Sequence, residues 1–202
     1  MKLTTRELSI LAVFGAVWGL VEISLGSVLK SLNIPLSGMV LSALGLAVAL
    51  IGRAYVPRRG STLFIGVIAM LLKLFSLGGI VLGPMIAIFA EALVAEVALS
   101  LWRTPSRAAF SLAGALGVTW TLLQPFVTGP LLFGRGMLVI WLDFIDNGAR
   151  LLRFEPRAVV WIVLAMAAIY LVVGAGVGWI SWGLARQLGK RTGKISSVTV
   201  QG

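Results

Sequence analysis

The chain has 202 residues, of which 59% are apolar and 12% charged, and its 17 Lys+Arg against 7 Asp+Glu give a net charge of +10. Its mean hydropathy is +1.03; soluble domains run at about 45–50% apolar and about 25% charged, so a water-soluble enzyme is excluded first. With no cysteine and no histidine, the chain cannot build disulfides, thiolate nucleophiles, imidazole bases, Ser-His-Asp triads or Cys/His metal sites.

Six apolar runs approach the length needed to cross about 30 Å of hydrocarbon at about 1.5 Å per residue. They run from Leu8 to Leu29, Leu36 to Val56, Thr62 to Leu77, Ile80 to Trp102, Ala108 to Val127 and Ala158 to Ala185. The first follows Lys2 and Arg6 and imitates a signal peptide, but its length, Glu22 and the lack of a small-x-small cleavage site favour a retained helix. The third is short and meets the fourth at Gly78-Gly79, which suits a tight hairpin or a re-entrant kink. A segment from Gly136 to Leu152 is interrupted by Asp143, Asp146, Asn147 and Arg150, as expected of an amphipathic or re-entrant helix at the interface. Residues 189–202 form a polar tail, expected to be flexible, after a single transmembrane domain over 1–188.

The basic residues set the expected orientation. With both termini cytoplasmic, the cytoplasmic segments collect Lys2, Arg6, Arg53, Arg58, Arg59, Arg103, Arg107, Arg186, Lys190, Arg191 and Lys194, the majority of the 17. Arg135, Arg150, Arg153 and Arg157 fall in an opposite connection, diluted by Asp143, Asp146 and Glu155. The charge therefore reads as topology and lipid contact, not nucleic-acid binding. The fold class is an all-α integral membrane protein with six transmembrane helices.

An ionisable group inside a span costs several kcal/mol unless paired or wet, so each is a candidate for function. Glu22, Lys73 and Glu91, with Gln124 as an uncharged companion, fall in the outer part or near the middle of their spans, which describes a pocket opening outward. The competing reading is that Glu22 or Glu91 pairs with Lys73 and ties helices together, with no ligand. Glu96, about 140° around the helix from Glu91, suits a bundle contact or an arginine partner on the cytoplasmic side. Trp18, Trp102, Trp179 and Trp182 read as interface belt or packing. Trp120, one turn from Gln124, and Trp141, beside Asp143, would give a flat or cationic ligand an aromatic face. On the first run Ala12 and Ala16 are four apart, as are Gly15 and Gly19, a flat stripe for close helix approach.

The Ala12-x-x-x-Ala16 stripe, the Gly/Pro-rich junction Leu77-Gly78-Gly79-Ile80-Val81-Leu82-Gly83-Pro84, the basic cytoplasmic face and the six-helix plan resemble the substrate-binding S components of energy-coupling factor (ECF) transporters. The resemblance implies a cell-membrane protein that captures a vitamin or vitamin precursor from outside. It then docks on a transmembrane coupling protein and two ATPase subunits. Ala12 and Ala16 would be the docking surface, and Lys73, Glu91, Trp120, Gln124 and the segment from Trp141 through Asp143 to Asn147 would belong to the pocket. The metal-transporting branch captures its ion with an N-terminal methionine and a nearby histidine; this chain has no histidine, which disfavours a metal. The acidic and aromatic residues favour an organic ligand with a cationic or hydrogen-bonding ring, while Lys73 leaves anions open.

No cofactor is implied, and no G-x-x-x-x-G-K-[ST] loop is present, so ATP hydrolysis would come from another chain. The chain is expected not to be an enzyme. Two alternatives stay open: a self-contained ion-coupled carrier using Glu22 and Glu91, and an intramembrane enzyme using Asp143 and Asp146, three apart on one helical face.

Overall fold

A computed structural model describes residues 3–32, 34–76, 82–102, 104–155 and 157–191. The elements are α1 (Thr5–Ser31), α2 (Ser37–Tyr55), α3 (Ser61–Leu72), α4 (Leu82–Ser100), α5 (Arg107–Phe133), α6 (Met137–Leu152) and α7 (Val159–Arg191). One 3-10 turn, Lys73–Phe75, extends α3. No strand occurs among the described residues.

Five helices, α1, α2, α4, α5 and α7, are long and apolar enough to cross a membrane. α3 with its turn, Ser61–Phe75, is a shorter apolar helix, about 22 Å at 1.5 Å per residue. The junction Leu77 to Val81, including Gly78-Gly79, lies outside the described residues, as do Lys2, Arg103 and residues 192–202. α7 continues to Arg191, so residues 189–191 are helical and not tail.

α5 departs most from expectation: it runs on past Val127 to Phe133 through Pro125 and Pro130. Each proline removes a backbone donor, leaving the carbonyls of Thr121 and Phe126 without their helical partners, a loss that membrane helices absorb when neighbours surround them. The helix starts where Ser106 accepts from the Ala109 N–H (3.1 Å), an N-cap, and stops at Gly134 with φ 59°.

α2 is the hub, packing on α1, α3, α4, α5 and α7. Glycines let the backbones come close where a bundle in lipid has little hydrophobic drive of its own. Trp18 of α1 is fully buried, and a Cβ at Gly45 of α2 would overlap its indole nitrogen. Gly15 and Gly19 of α1 face Ile68 and Leu72 of α3. The most extensive helix pair, α5 with α7, meets backbone to backbone at Gly114, Gly174 and Gly178.

The helices alternate so that the bundle has two distinct ends. At the terminal end, where α1 begins and α7 finishes, Arg58 pairs with Glu7 (2.6 Å) and Arg53 with Glu96 (3.4 Å). There Arg59 donates to the Ser100 carbonyl (3.4 Å) and the Arg107 guanidinium lies 4.2 Å from the Trp179 ring centre. The far end carries the α1–α2 connection, the turn after α3, and α6. α6 packs on α5 and α7 through Ile140, Ile145, Gly148 and Ala149, while Met137, Leu138, Val139 and Leu142 are exposed.

Candidate functional site

Three of the buried charges, Glu22, Lys73 and Glu91, form one group inside the bundle. The short turn after α3 carries Lys73 inward, and its ammonium donates to the Glu22 carbonyl (2.8 Å) and carboxylate (3.3 Å). Both side chains are buried. Gly26, one turn beyond Glu22, makes room: a Cβ there would stand 3.3 Å from Lys73 Nζ. Glu91 of α4 is 3% exposed, with Glu22 as its charged neighbour and Ser42 beside it. Its Oε2 has no hydrogen-bond partner among the described residues.

Glu96 serves a different purpose. It accepts from the backbone N–H groups of Gly60 (2.7 Å) and Thr62 (3.0 Å) and from the Ser100 hydroxyl (2.9 Å), and it pairs with Arg53. A carboxylate from α4 thus satisfies orphan donors at the start of α3, where the helix dipole favours negative charge.

A separate hollow of about 910 Å³ lies at the far end, within the usual range of small-molecule sites. Leu36, Ser37 and Gly38 form one side; Thr121, Pro125 and Phe126 of α5 another. α6 contributes Asp143, Phe144, Asn147 and Arg150, and α7 Met166 and Tyr170. Arg135 and Arg153 stand at the two ends of α6 and also line it. Arg135 is paired with Asp143. Phe126, Phe144 and Trp141 form an aromatic cluster with ring centres 5.9 to 6.3 Å apart; Phe126 and Phe144 face the hollow and Trp141 stacks behind.

The residues singled out in the sequence therefore divide. Asp143 and Asn147 line the hollow, and Trp141 supports its wall. Glu22, Lys73 and Glu91 belong to the buried charge group. Gln124 donates to the Gly83 carbonyl (3.4 Å) and the Thr128 hydroxyl (3.2 Å), tying α5 to α4. Trp120 is half-buried, and its indole N–H has no partner among the described residues. Ala12 and Ala16 are half-buried on a flank of α1, between the face packed on α3 and the exposed Val13 and Leu20. Asp146 is exposed and does not line the hollow.

Sequence reasoning passed over Arg135, Arg150, Arg153, Phe126, Phe144 and Tyr170. A signal was there for one of them: Asp143, Asn147 and Arg150 recur at i, i+4 and i+7, a single helical face.

Comparison with family models, curated proteins and solved structures found no match to this chain.

Proposed function

We propose that the chain is a membrane-embedded substrate-capture subunit, which takes up a small organic solute such as a vitamin or vitamin precursor in concert with separate coupling and ATPase subunits. The observation that carries this reading is the hollow of about 910 Å³ at the far end of the bundle, larger than the one of about 570 Å³ between α1, α2 and α7 at the terminal end. The terminal end gathers Arg53, Arg58, Arg59, Arg107 and Arg186, and the preference of basic residues for the cytoplasm would turn the hollow outward. In this reading both termini are cytoplasmic, α3 with its 3-10 turn is the short sixth span, and α6 lies across the outer mouth at the interface. The chain itself catalyses no reaction. The half-exposed Ala12 and Ala16 offer a flank on which a coupling protein can dock.

The test is purification of the chain in detergent, with native mass spectrometry and radioligand binding across a panel of vitamins and precursors. A retained small molecule, displaced when Phe144→Ala removes part of the wall, is the expected result. No retention across the panel, with no coupling protein co-purifying, overturns the proposal.

A self-contained carrier is the second reading, favoured by the buried Glu91 carboxylate whose Oε2 lacks a partner among the described residues. It requires solute accumulation in liposomes containing this chain alone, under an imposed proton gradient.

A further inference from the structure

Resting on the reading of the hollow as a solute site, we infer that its solute carries an oxyanion, a carboxylate or phosphate, held by Arg150 and Arg153 while its organic body lies against Phe126, Phe144 and Tyr170. Three guanidinium groups and one carboxylate line the chamber. Arg135 is engaged by that carboxylate, Asp143. Neither Arg150 nor Arg153 has an ion-pair partner among the described residues, so two positive charges face the chamber without a matching negative one. A guanidinium offers a planar fork of donors that fits carboxylate or phosphate oxygens in pairs.

The backbone supplies an independent reason. Among the described residues, two that are not glycine have positive φ: Leu36 (58°) and Arg153 (56°). Both line this chamber. Arg153 is the left-handed residue that closes α6, its N–H donating to the Ala149 carbonyl, a place where glycine sits without strain. An arginine held there against its backbone preference is explained if the side chain is needed in the chamber, since strain of this kind collects at ligand sites.

The chamber lies beside the exposed apolar start of α6, so a phospholipid headgroup and a free solute share the chemistry that would be recognised. The experiment separates them. The full chain is reconstituted in phosphatidylcholine nanodiscs and probed by saturation-transfer NMR with benzoate and phenyl phosphate against benzylamine and benzyl alcohol, which match them in ring size. The anions are expected to bind at least about tenfold more tightly than the amine or the alcohol. Arg153→Gly is expected to lose that preference while unfolding at the same or a higher temperature, because glycine relieves the left-handed backbone; Arg150→Gln should lose it likewise. Nanodiscs doped with phosphatidylglycerol are the second arm. If the anionic lipid displaces both soluble anions and its retention falls in Arg153→Gly, the oxyanion assignment stands with a lipid as its source.

If benzylamine binds as tightly as benzoate, or if Arg153→Gly keeps the preference for anions, the oxyanion assignment is overturned and the chamber remains a solute site. If no probe of any charge binds and no lipid is retained, the reading of the chamber as a solute site falls with it.

Discussion

Lys73 grips Glu22 twice, once at the carboxylate and once at the backbone carbonyl of the same residue, with both side chains buried. The pair links α1 to the turn after α3, and beside it Glu91 is a buried carboxylate whose Oε2 has no hydrogen-bond partner among the described residues. Breaking such a pair from one side strands a charge in an apolar interior at a cost of about 3–5 kcal/mol, whereas removing both partners is far milder. Lys73→Met is therefore expected to destabilise strongly, and the double variant Glu22→Gln/Lys73→Met to recover most of the loss. Thermal unfolding of the purified proteins in one detergent checks this; equal losses in the single and double variants would show that the charge pairing is not the cause.

Glu96 holds the start of α3 by its two backbone bonds and neutralises Arg53. Glu96→Ala removes both roles, with an expected cost of about 3–5 kcal/mol from the stranded arginine. Glu96→Gln keeps an acceptor for the N–H groups and should fall between the two. Hydrogen exchange is the sharper readout: protection of amides 60–65 should drop in the alanine variant and be partly restored in the glutamine one.

Gly45 exists to admit Trp18. Gly45→Ala places a methyl group on the indole, and overpacking of this kind typically costs about 1–3 kcal/mol. Gly174→Ala should act the same way at the α5–α7 contact, where the added carbon would press on the Gly114 carbonyl. Gly38→Ala, with open space around it, is the control and should leave the unfolding temperature near that of the parent.

The flank of α1 gives a test of the assembly. Ala12→Trp and Ala16→Trp add bulk at half-exposed positions, where substitutions usually change stability by less than about 0.5 kcal/mol. If a coupling protein docks there, co-purification should be lost while the unfolding temperature holds. A marked fall in stability instead would assign the flank to packing within the chain.

The apolar run lengths in the sequence located the five membrane-length helices and the shorter α3, because a uniformly apolar stretch is visible without any partner, and α6 showed as a run broken by charges. Their ends were harder to read. α3 stops at Leu72 since the chain tightens into a 3-10 turn that swings Lys73 inward, a choice made by Glu22 on another helix. α5 passes two prolines because its neighbours absorb the lost bonds, and a proline in sequence looks like a stop. Glu96 was legible as a bundle contact or a partner for a cytoplasmic-side arginine; which arginine, and which backbone donors it would satisfy, was not. The chamber stayed hidden for a related reason: Arg135, Arg150 and Arg153 look like loop charges that set orientation, and only the left-handed turn at Arg153 and the lie of α6 across α5 and α7 gather them round one space. Uniformly apolar helices carry little periodic signal to fix their rotation, so the separation of Glu22, Lys73 and Glu91 from Asp143 and Asn147 needed coordinates.

The two prolines of α5 also divide that helix mechanically. Below them it is stapled to α7 by bare backbone at Gly114, Gly174 and Gly178; alongside the chamber it lacks two rungs of its ladder, at Thr121 and Phe126. The compliant stretch coincides with the chamber wall, since Thr121, Pro125 and Phe126 all belong to it. The upper third of this rod is accordingly the part free to bend, while the stapled remainder is held against its neighbour.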